Sequence, residues 1–127
     1  MAREPASGEK PLYWIGSSLK DITRFPAPVR RGLGFALSAA QYGGKHPSAK
    51  PWKGEGPGIM EIVKDFDGDT FRAVYTVRFA SAVYVLHAFQ KKSPHGITTR
   101  QSHVALIKER LKIAQRDYEE RHGKEKS

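Results

Sequence analysis

The chain has no cysteine. Disulfides and thiolate metal sites are excluded, and the composition fits a reducing cytoplasm. It also lacks any apolar run near the ~20 residues a membrane helix needs, so no membrane association is expected. The opening MAREPASGEKPL has no apolar core of a secretory leader and reads as a flexible lead-in over residues 1–11. Several chemical signatures are missing too. There is no P-loop, no G-x-G-x-x-G, no G-x-S-x-G and no H-E-x-x-H. No metal and no small-molecule cofactor is expected. Acidic residues are scarce, with 13 Asp and Glu against 22 Lys and Arg, which leaves a net charge of +9.

What is present describes one ordinary domain. The 127 residues are 39% hydrophobic and 28% charged, enough to bury a core without staples. The expected domain spans residues 12–121, with a frayed tail at 122–127. A basic surplus of this size attracts polyanions, and nucleic acid is the commonest in the cytosol. The plainer alternative is that the charge only keeps the protein soluble.

The periodicity changes along the chain. Leu12 to Ile15 reads as a short first strand ended by Gly16. Ser17 or Ser18 can cap a short helix with Leu19, Ile22 and Phe25 on one face. Pro26 and Pro28 open a second helix, whose buried stripe is Val29, Leu33, Leu37 and Ala40. Gly43-Gly44 stops it. Lys45 to Gly58 reads as a basic, glycine-rich loop. Ile59 to Phe66 is a strand, Asp67-Gly68-Asp69 a hairpin turn, and Thr70 to Phe79 the next strand. Phe71, Ala73, Tyr75, Val77 and Phe79 share its core face, while Arg72 and Arg78 lie on the other face. Ala82 to Phe89 is nearly continuous in apolar residues and reads as an interior strand. Thr98 with Gln101 resembles a capping box. Val104, Ile107, Leu111, Ala114 and Tyr118 then form the stripe of a last amphipathic helix. The predicted class is α+β: a small, twisted, mainly antiparallel sheet with two N-terminal helices and a C-terminal helix.

The segments PWKGEGPGIMEI, TFRAVYTV and AVYVLHAFQKKS, in that order around a D-G turn and before a terminal helix, resemble the RelE/HigB toxin superfamily. The likeness is to its phage-derived, HigB-like branch and spans Leu12 to Arg116. Trp52 departs from the leucine usual in that loop. The resemblance implies a toxin of a type II toxin–antitoxin module that cuts mRNA on the ribosome. It also implies a helix-turn-helix, HigA-like antitoxin encoded next to it.

Metal-free RNA cleavage uses the 2′-hydroxyl as nucleophile and needs positive charge around the phosphate. Arg72, in the aromatic-arginine strand motif, is the first candidate to hold the scissile phosphate. The alternative is a strand arginine paired with a carboxylate. Lys53 matches the P-x-K-G lysine of the family and can bind phosphate or serve as a solvated loop lysine. Lys91 and Lys92 end the interior strand. Lys92 falls near a catalytic arginine of the RelE pattern, and lysine there keeps the charge but loses the bidentate fork. Glu61 is a candidate general base or, equally, a salt-bridge partner of Arg72 or Arg78. Arg78, Lys45 and Lys50 are candidates for gripping the RNA backbone. Trp52 is a candidate stacking platform, whereas Tyr13, Trp14 and Tyr42 read as packing residues. His87 reads as a core histidine, and no motif supports His95 or His103. Two other functions fit the same residues: a non-catalytic RNA- or ribosome-binding module, and a phage-derived structural protein whose basic face meets only protein.

Overall fold

The computed structural model describes residues 8–91 and 96–123, with side chains from residue 101 onward in the second stretch. The elements are β1 (Leu12–Trp14), α1 (Ser18–Thr23), α2 (Ala27–Gln41), β2 (Ala49–Pro51), β3 (Ile59–Phe66), β4 (Asp69–Thr76), β5 (Val83–Lys91) and α3 (Gly96–His122). The five strands form one sheet in the order β1-β5-β4-β3-β2. β1 lies parallel to β5, and every other pairing is antiparallel. This is the expected α+β class.

The sheet is covered on both faces. Ile22, Val29, Leu33, Ala36, Leu37 and Ala40 of α1 and α2 pack on Ile62, Phe71, Ala73, Tyr75, Val83 and Val85. On the opposite face, Ile107, Ala114 and Tyr118 of α3 pack on Trp52, Ile59, Val74, Tyr84 and Leu86. The stripes read from periodicity for α2 and α3 are the buried or half-buried ones. Asp67 (φ 53°) and Gly68 (φ 84°) form the two-residue loop between Phe66 and Asp69, because a primed turn matches strand twist and needs positive φ at both positions.

Four local expectations are corrected. The loop at Lys45 to Gly58 contains β2, whose edge pairing with β3 no alternation announces. β4 stops at Thr76 rather than Phe79, with one further backbone bond, Val77 N–H to Gly58 O, beyond its end. Its Arg72 face is not simply polar: Val74 and Thr76 are fully buried there under α3. At α1, Ser17 makes no side-chain cap; its hydroxyl donates to the Asp21 carboxylate instead, and Leu19 is exposed.

Candidate nucleic-acid interface

Residues opposite one another in a sheet share a face, and so do residues two apart along a strand. The register therefore assembles a face from separated segments. One row across the sheet is Lys50–Glu61–Val74–His87, and the next on the same face is Val63–Arg72–Phe89. A third is Asp65–Thr70–Lys91. Glu61, Arg72, Lys50 and Lys91 are thus brought onto the α3 side of the sheet, in rows about 7 Å apart.

Arg72 Nη1 donates to Glu61 Oε1 in a salt bridge. The side chains are 21% and 10% exposed, so the pair is mostly withdrawn from water. Arg72 Nε is buried without a hydrogen-bond partner among the described residues. Of the two open roles for Glu61 and Arg72, the resting structure displays the ion pair. Lys50 and Lys91 are exposed beside it.

The other candidates separate. Lys53 is exposed in the loop after β2. Arg78 is turned back on that loop. Its guanidinium donates to Glu55 O at 2.7 Å and to Pro57 O at 3.2 Å and 3.3 Å. Arg78 is therefore a clamp on the loop that carries Lys53, not a free grip for RNA. Gly58 makes that clamp fit, because a Cβ there would lie 3.2 Å from Arg78 Cα, at φ 84°. Trp52 corrects the stacking expectation. It is 3% exposed, lies in the core under α3 and donates from Nε1 to Glu55 Oε2 at 2.8 Å. A ring packed inside the core offers no face to a base. Lys45 is exposed in the connection from α2, and no described contact joins it to the Arg72 face. Lys92 and His95 lie outside the described residues.

One cluster was not anticipated. A β-bulge shifts the β4–β5 register between Val74 and Tyr75, so that Val74 faces His87 while Tyr75 faces Val85. Leu86 is the extra residue. The bulge sends both Leu86 and His87 toward α3, and Phe89 with them, against the simple alternation of the strand. There His87 Nε2 lies 2.8 Å from His103 Nδ1. The His103 ring stacks on Phe89 with centroids 3.8 Å apart. Arg110, two helical turns on, donates to Leu86 O at 3.0 Å and to Ser17 Oγ at 3.2 Å, with Nη1 3.5 Å from His87 Nδ1. Gly16 leaves room for that guanidinium, since a Cβ there would lie 2.8 Å from Arg110 Cζ. Burial first, then the charges of His103 and Arg110, push the His87 pKa down to about 4. Burial also lowers that of His103. Both imidazoles are neutral near pH 7.

The bulge is invisible to periodicity, so His87 reads as one more core residue. The helix spacing did hold a usable signal. His103 and Arg110 fall at the same helical phase as buried Ile107 and Ala114, which puts polar groups on a buried stripe. Between α1 and the second half of β5, a cleft of about 590 Å³ is lined by Asp21, Arg24, Phe25 and Asp69, and also by His87 and Phe89. Its two carboxylates suit a phosphate poorly.

None of the curated proteins matches the chain. The phage-derived Gp49-like family (DUF891) matches residues 20–112, a stretch that runs from α1 into α3 and includes the whole Arg72 face of β2 to β5. That family is part of the RelE/HigB-like toxin–antitoxin superfamily. On a match covering well over half of its length, the chain belongs to the phage-derived Gp49-like family.

Proposed function

We propose that the protein is the toxin of a type II toxin–antitoxin module of the HigB-like branch, and that it cuts mRNA on the ribosome in the cytoplasm. The observation that carries this reading is the sheet face itself. A +9 chain of a toxin family collects Arg72, Glu61, Lys50 and Lys91 on one side of its sheet, from four different strands.

The chemistry follows from the pair at its centre. The RNA supplies its own nucleophile, the 2′-hydroxyl, and needs no metal to do so. An incoming phosphate competes with the Glu61 carboxylate for Arg72, because a guanidinium fits either anion. Transfer of Arg72 to the phosphate neutralises charge that grows in the transition state. It also releases Glu61, which is then free to take the 2′-hydroxyl proton. Lys50, Lys91, Lys92 and Lys53 supply the surrounding positive field, with Lys53 held in place through the loop that Arg78 clamps. A helix-turn-helix antitoxin neutralises the protein by covering this basic face.

The test is induction of the gene alone in a bacterial host, with primer extension on an abundant message. Growth arrest with discrete cuts inside translated frames is expected, and Arg72→Ala should abolish both. Normal growth with intact messages, from protein shown to be folded and free of antitoxin, would favour the second reading. That reading is a non-catalytic ribosome-binding module, and the sequestration of Arg72 by Glu61 is the observation on its side.

A further inference from the structure

We infer that His103 is a substrate-contacting residue of this face: a neutral imidazole that donates its Nε2 proton to a phosphate oxygen of the RNA. The inference rests on the ribonuclease reading above.

The tautomer follows from the network. A guanidinium has only donors, so the side of His87 nearest Arg110 is the accepting side. Arg110 Nη1 stands 3.5 Å from His87 Nδ1, which leaves the His87 proton on Nε2. That Nε2 lies 2.8 Å from His103 Nδ1, so His103 Nδ1 accepts. A neutral His103 must then carry its own proton on Nε2. His87 is 6% exposed, whereas His103 is partly exposed and its Nε2 has no partner among the described residues. The chain of hydrogen bonds thus runs outward, from Arg110 through His87 to a donor on His103 that no described residue engages.

That donor lies on the sheet face that carries Arg72. The His103 ring lies against Phe89, and Phe89 is the cross-strand neighbour of Arg72 on the same face. Both neighbours of the donor are fixed. The ring is pinned by stacking on Phe89, and its tautomer is set by His87. A preorganised donor of this kind costs no reorganisation when charge develops on the oxygen. It needs no proton transfer, which suits an imidazole kept neutral by its surroundings. It also answers a difficulty of the Arg72 pair, because Arg72 is engaged by Glu61 at rest while the His103 Nε2 is engaged by none of the described residues.

His103 is the catalytic residue in this scheme, and His87 and Arg110 are positioning residues. The test uses the full chain on programmed ribosomes. Wild type is compared with His103→Ala, His103→Gln, His87→Gln and His87→Leu for single-turnover cleavage at saturating ribosomes and for ribosome affinity. Nitrogen-15 spectra of the free protein report the His103 tautomer. The expected result is a cleavage rate about 10²-fold lower in His103→Ala at unchanged affinity. His103→Gln should recover part of the rate, because its amide can donate near the Nε2 position. His87→Gln, which keeps a donor toward His103, should outperform His87→Leu. The spectra should show a neutral, Nε2-protonated His103. An active wild type with His103→Ala within threefold of it would overturn the inference and leave the ribonuclease reading intact. A His103 protonated on Nδ1 would overturn it as well, even if the variants fail to fold. An inactive wild type would remove the ribonuclease reading itself, and this inference with it.

Discussion

Arg72 of β4 and Glu61 of β3 are diagonal neighbours on one face of the sheet, joined by a salt bridge from which water is mostly excluded. Breaking such a pair from one side is costly, because the survivor keeps its charge without a partner. Replacing both sides by apolar groups is often close to neutral. Arg72→Ala should therefore lower stability by about 2 kcal/mol, discounted from the ~3–5 of fully buried pairs for the residual exposure. The double variant Arg72→Leu, Glu61→Leu should return close to wild-type stability and stay inactive. Denaturant melts and ribosomal cleavage assays separate the two effects. A double variant as unstable as the single one would mean that the pair holds the sheet together rather than storing a competent arginine.

Acid should destabilise the protein through His87. Its pKa falls from the ordinary 6.5 to about 4 in the fold. Between those values the unfolded chain binds a proton that the folded chain refuses. The stabilisation is complete above pH ~6.5 and is lost as the pH falls toward ~4, by at most about 3 kcal/mol. Unfolding free energies measured across this window should drop more steeply in wild type than in His87→Gln, which has no such proton to bind. Parallel pH profiles for the two proteins would show that His87 is not the group responsible.

Trp52 should prove to be a core residue. Trp52→Phe keeps most of the packing under α3 and loses the 2.8 Å bond to Glu55, so it should cost about 1 kcal/mol. Trp52→Ala should cost about 3–5 kcal/mol. Affinity for single-stranded RNA should be the same in wild type and Trp52→Phe. A marked loss of affinity in the phenylalanine variant would restore the stacking role.

These cases show what the sequence could and could not reveal. The helix stripes of α2 and α3 were legible because burial enforces a period near 3.6, and Asp67-Gly68 was legible because few other pairs tolerate two positive φ values. The position of Arg72 in its strand was legible, and a Glu61–Arg72 bridge stood among the alternatives. Its burial was not, because α3 covers that face from far away in the chain. Trp52 was misread for the same reason: a tryptophan among lysines looks exposed until the helix that covers it is known. His87 was hidden by a single extra residue in β5, and Arg78 by a loop whose carbonyls only the fold brings to it.

The footprint of RNA on this face should show in the salt dependence of binding. Each phosphate neutralised on a single strand contributes a slope of about −0.7 in log K against log salt. Lys50 and Lys91 are exposed on the face that carries Arg72, at its β2 and β5 sides. Lys50→Ala and Lys91→Ala should each reduce the slope by about 0.7, and the two effects should add, since separated charges act independently. Lys45 carries the same charge but follows α2, which covers the opposite face. Lys45→Ala should change the slope by clearly less. Fluorescence titrations of a short labelled RNA between ~50 and ~200 mM salt resolve these differences, because several contacts together shift affinity by orders of magnitude over that range. Equal slopes lost at Lys45 and Lys91 would mean that RNA runs around the edge of the sheet onto the α2 side. The binding surface would then be a general basic one, and the assignment of the Arg72 face as the site would lose its electrostatic support.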